Sequence, residues 1–307
     1  MKKILFIALM GLISCQTGTS DKIPPGRWLE YYRAQTERTD PGQYEYLYEN
    51  LPKSLDSLCL IIKSQLIHPY LALQMGIKVD DYSEDESFPN VESMLEALVL
   101  SDSTGITLNR ERGDRLVVAS YHHAILLASI LRSQGVPVRM RAGFSRYYDS
   151  NYQVRFGHTV CEVWDRDENQ WLLVIPELEQ VGLNNRVFDY SWEAWRNIRE
   201  RKMDPRRYTS PMADGLKAIV NFLVLDAYLV LQDEKLYWDL PKIVMEDPEK
   251  ISDLTQKQIN TLNQLAERLA NYHSNPDKIG DILYNQEFFR SARISYDDYM
   301  DLVREKN

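Results

Sequence analysis

The first half of the chain carries apolar residues at the three- and four-residue spacing of amphipathic helices. This pattern predicts one helix after Ser54 and a shorter one after Asn90, because serine and asparagine commonly occupy the N-cap. A longer and nearly apolar helix is predicted over Val117–Gln134. It should end at Gly135, for which we expect a positive φ because the chain has to reverse into the strand that starts at Val138.

The middle of the chain changes to the two-residue alternation of strands. VPVRMRAGF places apolar residues on one face and Arg139 and Arg141 on the other, where we expect them to form ion pairs. GHTVCEVWD and QWLLVIPE predict two further strands, joined by the polar turn DRDEN. Helices return over Ser191–Lys202, over Asp214–Leu231 and in the charged region from Glu246. This order of elements indicates an α+β fold.

The amino-terminal residues resemble an export signal more than a folded element. Two lysines precede the apolar run Ile4–Ile13, which is short for a bilayer span. The run closes in LISC, which resembles a bacterial lipobox, so we expect Cys15 to be lipidated and to anchor the protein to a membrane. Residues 1–14 would be the lipoprotein signal peptide and 15–38 a tether, and Gln16 favours the outer membrane of a bacterial cell envelope. The alternative is an ordinary signal peptide with an incidental cysteine.

Composition narrows the function classes without selecting one. The chain of 307 residues is 44% hydrophobic and 26% charged, as in soluble globular proteins. A net charge of −9 and the lack of a basic patch argue against nucleic-acid binding. Cys59 and Cys161 lie in apolar stretches, which favours two buried thiols over a disulfide. No CxxC or HExxH spacing occurs, so we expect neither a metal nor a cofactor.

Several segments together resemble a known fold. The order of the predicted elements is similar to that of the transglutaminase-like, papain-like fold. The elements are a buried helix, the following LRSQGVPVRMRAGF, a strand that opens with histidine and a third strand led by tryptophan. Three further segments occur in the order seen in a subgroup of bacterial transglutaminase-like proteins, namely DPGQYEYLYENLP, FGHTVCEVWD and AWRNIRERKMDP. The resemblance runs from about Thr39 to Pro241 and implies one domain over 39–241, in which a central helix packs on an antiparallel sheet. Residues 242–307 would be a C-terminal helical extension.

The resemblance implies a Cys–His–Asp triad for acyl transfer through a thioester. Carried onto this chain, the three positions fall at Ser120, His158 and Ile175, so only the histidine matches. Glu177 or Glu162 could replace the missing carboxylate, although Pro176 argues against the first and distance along the strand against the second. The other interpretation of Ser120 is an N-cap of a buried helix.

These observations leave three functions open. We expect an envelope lipoprotein whose degenerate transglutaminase-like domain is catalytically inactive and serves as a binding or scaffolding module for a peptide or protein ligand. The alternative is an amide-directed hydrolase or acyl transferase that acts on peptides or cell-wall stems through Ser120 and His158. A third possibility is a partner subunit that completes its site with another chain. A minor alternative is a metal site, because His123 shares a helical face with Ser120 and could approach His158, with His122 beside it.

Overall fold

Helices and strands alternate in a mixed α+β architecture, as the sequence predicts. The computed structural model describes residues 25–76, 84–146, 153–182, 187–241, 250–271, 276–286, 289 and 291–293. The helices are α1 (Pro25–Arg33), α2 (Leu55–Gln65), α3 (Pro69–Gln74), α4 (Glu84–Ser87), α5 (Val91–Ser101), α6 (Ser120–Ser133), α7 (Ser191–Arg199), α8 (Gly215–Val230), α9 (Gln256–Ala270) and α10 (Asp277–Asn285). Cys15, the expected signal peptide and most of the expected tether lie outside the described residues, while the last part of that tether contains α1.

One sheet forms the centre of the fold. Its strands are β3 (Val138–Ser145), β4 (Arg155–Asp165), β5 (Gln170–Ile175), β6 (Gln180–Val181), β7 (Phe188–Tyr190) and β8 (Tyr208–Thr209). The order is β6-β5-β4-β3-β7 with antiparallel neighbours, and β8 pairs with β4 in parallel. The three predicted strands are thus adjacent in the sheet. Two further pairs of short strands lie outside it, β1 (Leu66–Ile67) with β2 (Leu116–Val117) and β9 (Asp239–Pro241) with β10 (Ser291–Arg293).

Helices α6 and α8 are buried almost throughout, which explains why their sequences are nearly apolar. Helix α6 contacts β3 and β4, and α8 contacts β3 and α7. Cys59 on α2 and Cys161 on β4 are free, fully buried thiols in this core, as expected from the sequence. In the part of the chain that the structure describes, no helix is long and apolar enough to cross a membrane.

The central helix starts later than predicted and ends where predicted. Leu116 and Val117 pair with β1 as strand β2, so α6 begins only at Ser120. At its end, Gly135 has a φ of +75°, which confirms the expected left-handed conformation. The amide of Val136 donates to the carbonyl of Leu131, so the cap satisfies carbonyl groups that the last turn leaves open.

Arg139 and Arg141 form the expected ion pairs, although both side chains are buried. The Nε of Arg139 donates to Glu162 over 2.7 Å, and Arg141 donates to both Glu162, over 3.1 Å, and Asp226, over 2.8 Å. Asp226 lies inside the apolar sequence of α8. These charges therefore tie α8 to the sheet.

Candidate functional site

Ser120 is the first residue of α6 and points to strand β4. Its Oγ accepts a hydrogen bond from the Thr159 amide over 3.2 Å and lies 3.2 Å from the hydroxyl of Tyr237. The N-cap position belongs to Ala119, which has no side chain able to cap the helix. The N-cap interpretation of Ser120 is therefore wrong, because its hydroxyl joins the helix to the sheet.

Tyr237 closes this contact from a segment that follows α8. Its hydroxyl lies 3.1 Å from Thr159 Oγ1 as well as within hydrogen-bond distance of Ser120. Burial raises the pKa of Tyr237 to about 12, so the phenol remains protonated at neutral pH. Ser120 is 3% exposed and Tyr237 is also 3% exposed. The serine hydroxyl is thus enclosed by a small hydrogen-bonded cluster.

His158 has a carboxylate partner from a position that the family pattern does not predict. Its Nε2 lies 2.6 Å from Oε1 of Glu177, and both side chains are buried. Strand β5 ends at Ile175, and a 3₁₀ turn over Pro176–Leu178 then carries Glu177 to the imidazole. Pro176 thus redirects the chain toward the histidine instead of preventing the contact.

The two other candidate positions for the carboxylate, Ile175 and Glu162, contact groups other than His158 in the part of the chain that the structure describes. Ile175 is fully buried in an apolar cluster with Val160, Leu173 and Phe188. Glu162, the second acidic candidate, binds Arg139 and Arg141 and accepts a hydrogen bond from the hydroxyl of Tyr190 over 2.6 Å. The expectation that Glu162 could serve His158 is therefore wrong.

Glu177 lies among imidazoles. Burial raises the pKa of its carboxyl, but the nearby rings of His158, His123 and His68 outweigh that effect and lower the pKa to about 2. Burial lowers the pKa of His68 to about 3 and that of His123 below its ordinary value. The sequence pattern does not indicate His68 as a site residue. It directly follows β1, which pairs with the strand preceding α6, and this pairing explains its proximity.

His122 and His123 bind different parts of the protein instead of converging. Nε2 of His122 lies 3.1 Å from the carbonyl oxygen of Phe88, and its Nδ1 lies 3.2 Å from Asp85. Nδ1 of His123 lies 3.1 Å from the carbonyl oxygen of Ala119, one turn back along α6. Across the described ranges, no group of three or more candidate ligands is arranged to hold a metal ion.

The space at this cluster is small. A cavity lined by His68, His123 and Glu177, with neighbouring side chains, has a volume of about 20 Å³. That volume suits a water molecule and is far below the several hundred cubic ångströms of an ordinary ligand site. Chemically, the cluster has the parts of a serine–imidazole–carboxylate site, but the hydroxyl hydrogen-bonds to Thr159 and Tyr237 and the parts are buried.

Comparisons of this chain with protein-family models, with curated proteins and with solved structures find no match. The resemblance to transglutaminase-like proteins therefore stays a prediction that rests on the sequence segments quoted above.

Proposed function

We propose that the chain is a lipid-anchored protein of the bacterial cell envelope, with a transglutaminase-like domain that is catalytically silent and acts as a binding or scaffolding module. The lipid would be attached at Cys15, and the ligand would be a peptide, a protein or another envelope component. The order of helix, histidine strand and third strand supports the family assignment. The enclosure of the Ser120 hydroxyl supports the proposed lack of catalysis.

The observation that carries this proposal is the environment of Ser120 Oγ. A nucleophilic serine needs a base that removes its proton and space for an acyl carbon within bonding distance. Here Ser120 is 3% exposed, and the hydrogen bonds of its hydroxyl among the described residues join it to Thr159 and Tyr237. Such contacts stabilise the helix–sheet junction and leave the oxygen without an approach for substrate.

A fluorophosphonate probe tests the proposal directly, because it reacts covalently with activated serines. We expect no labelling of the full-length protein, and the Ser120→Ala variant should give the same result. Stoichiometric labelling of the wild type that disappears in Ser120→Ala would refute catalytic silence. A reactive serine hydrolase labelled in the same tube verifies that the probe is active.

One observation favours the alternative, an amide-directed hydrolase or acyl transferase that uses Ser120 and His158. The carboxylate at Glu177, 2.6 Å from His158, could orient an imidazole as an aspartate does in a serine protease. For this function Tyr237 would have to move so that substrate reaches the serine. The labelling experiment decides between the two functions.

A further inference from the structure

A second cavity, of about 640 Å³, lies between α1, the hairpin of β4 and β5, and the start of α10. Its volume falls within the range of about 300–1,000 Å³ that small-molecule sites occupy. Its walls carry the aromatic side chains of Trp28, Tyr32, Trp164 and Trp171. These residues come from three separate elements, so the fold gathers the rings from distant parts of the sequence. Neither Ser120 nor Glu177 lines this cavity.

The aromatic walls are held in place by a buried arginine. The guanidinium of Arg139 lies 3.6 Å from the ring centroid of Trp171 and 5.3 Å from that of Tyr32. The rings of Trp164 and Trp171 meet edge to face, with centroids 5.3 Å apart. Such contacts fix ring orientation before a ligand arrives, which reduces the entropy lost on binding.

Among the described residues, the positive and negative charges at the cavity balance. Arg139 donates to Glu162, and Glu162 also binds Arg141, whose second partner is Asp226. Two positive and two negative groups thus form one buried network. A cationic ligand would meet the guanidinium of Arg139, and an anionic one would meet the carboxylate of Glu162. The cavity therefore favours a neutral ligand.

Polar groups lie at the rim. Asn169 and Gln170, which carry amide side chains, are exposed at the tip of the hairpin and line the cavity. Asn169 has a φ of +50°, a left-handed conformation that asparagine tolerates better than most residues. Each amide can both donate and accept hydrogen bonds, as is required for recognising hydroxyl groups.

We propose that this cavity binds a neutral oligosaccharide, whose pyranose rings stack on the tryptophans while their hydroxyls bind Asn169 and Gln170. The faces of aromatic rings carry partial negative charge and attract the weakly positive C–H groups on one face of a pyranose. The same ring presents hydroxyl groups around its edge. A neutral ligand with an apolar face and a polar edge matches the walls, the rim and the balanced charge. This inference rests on the proposed binding role and specifies its ligand.

Calorimetric titration of the full-length protein in detergent tests the inference with cello-, malto-, manno-, xylo- and chito-oligosaccharides. We expect at least one to bind with a Kd between about 1 μM and 1 mM. Trp28→Ala and Gln170→Ala should each weaken that binding by about tenfold or more. Trp192→Ala is the matched control, because it removes a tryptophan from a different groove, between α7 and α9, and should leave Kd unchanged. Melting curves of each variant check that it is folded.

Three results would overturn the inference. The first is that none of these sugars binds at about 10 mM. The second is that Trp192→Ala weakens sugar binding as much as Trp28→Ala does. The third is that tryptophan amide binds to the same cavity more tightly than any of the sugars. The Ser120→Ala variant separates this test from that of the proposed function, since it should bind the sugar like the wild type. Sugar binding together with a fluorophosphonate-labelled serine would refute catalytic silence alone. An unlabelled serine without sugar binding would refute the cavity assignment alone.

Discussion

Glu177→Gln removes the charge from the buried pair of His158 and Glu177 while keeping the size and shape of the side chain. Because the carboxylate lies 2.6 Å from the imidazole and both are buried, the pair should contribute to stability whether or not the protein is an enzyme. We expect the variant to fold and to have a lower free energy of unfolding at neutral pH.

The direction of the effect follows from the pKa of Glu177: burial raises it, but the surrounding histidines lower it more strongly, to about 2 against an ordinary value of 4.5. The size follows from removing one partner of a buried ion pair, which costs about 3 kcal/mol or more. A carboxyl whose pKa is depressed by folding stabilises the protein fully above its unfolded pKa. That contribution is lost as the pH falls from about 4.5 toward about 2. The gap between wild type and variant should therefore narrow across this window.

Urea unfolding followed by circular dichroism, repeated between neutral and acidic pH, measures both the gap and its narrowing. Glu179→Gln is the matched control, because Glu179 lies two residues further along, is exposed and pairs only at the surface with Lys63. It should change the free energy of unfolding by less than about 1 kcal/mol. Equal stability of Glu177→Gln and wild type at neutral pH would show that the pair does not depend on the carboxylate charge and would refute the reasoning.

Three shorter predictions test other parts of the structure. Gly135→Ala should lower the free energy of unfolding by about 1 kcal/mol, because the residue has a φ of +75° although an added Cβ would meet no atom. Gly113→Ala is the control, because an added Cβ there also meets no atom and the φ is not positive, and it should have almost no effect. Equal effects of the two substitutions would contradict a conformational cause. Cys15→Ser should accumulate an unprocessed precursor without incorporated palmitate; normal processing and labelling would refute lipidation. Ser120→Cys should resist alkylation by iodoacetamide until urea unfolds the chain, because the position is 3% exposed; rapid alkylation of the folded variant would show an accessible site.

The strong periodic patterns predicted the elements but not all of their ends. Strand β3 and the stop of α6 at Gly135 agree with the sequence because alternation and a glycine cap are local signals. The predicted start of α6 at Val117 is too early, because Val117 is equally suited to a helix or to the short strand that it forms with β1. Pairing of that kind depends on residues far apart in the chain, and apolar residues alone do not reveal it.

At the candidate site, the sequence indicates the residues more readily than their partners. The pattern predicts a helix at Ser120 and a strand at His158, and it leaves Glu177 open as a substitute carboxylate. The strand pattern could not decide that question, because Pro176 ends the strand and the outcome depends on the turn that follows. The contact of Ser120 with Tyr237 joins residues 117 positions apart, and nothing near the serine indicates it.

Ser120 and Ile175, where the resemblance implies a cysteine and an aspartate, both have surroundings that do not suit acyl chemistry. An aspartate at Ile175 would lie in an apolar cluster, where an unpaired carboxylate costs several kcal/mol. A thiol at Ser120 would still lie against Tyr237, so changing the nucleophile alone would not admit a substrate. The enclosure of Ser120 by Thr159 and Tyr237 and the apolar surroundings of Ile175 both disfavour acyl transfer at these two positions. The combination favours a structural role for the serine and leaves the aromatic cavity beside α1 as the surface more suited to bind a ligand.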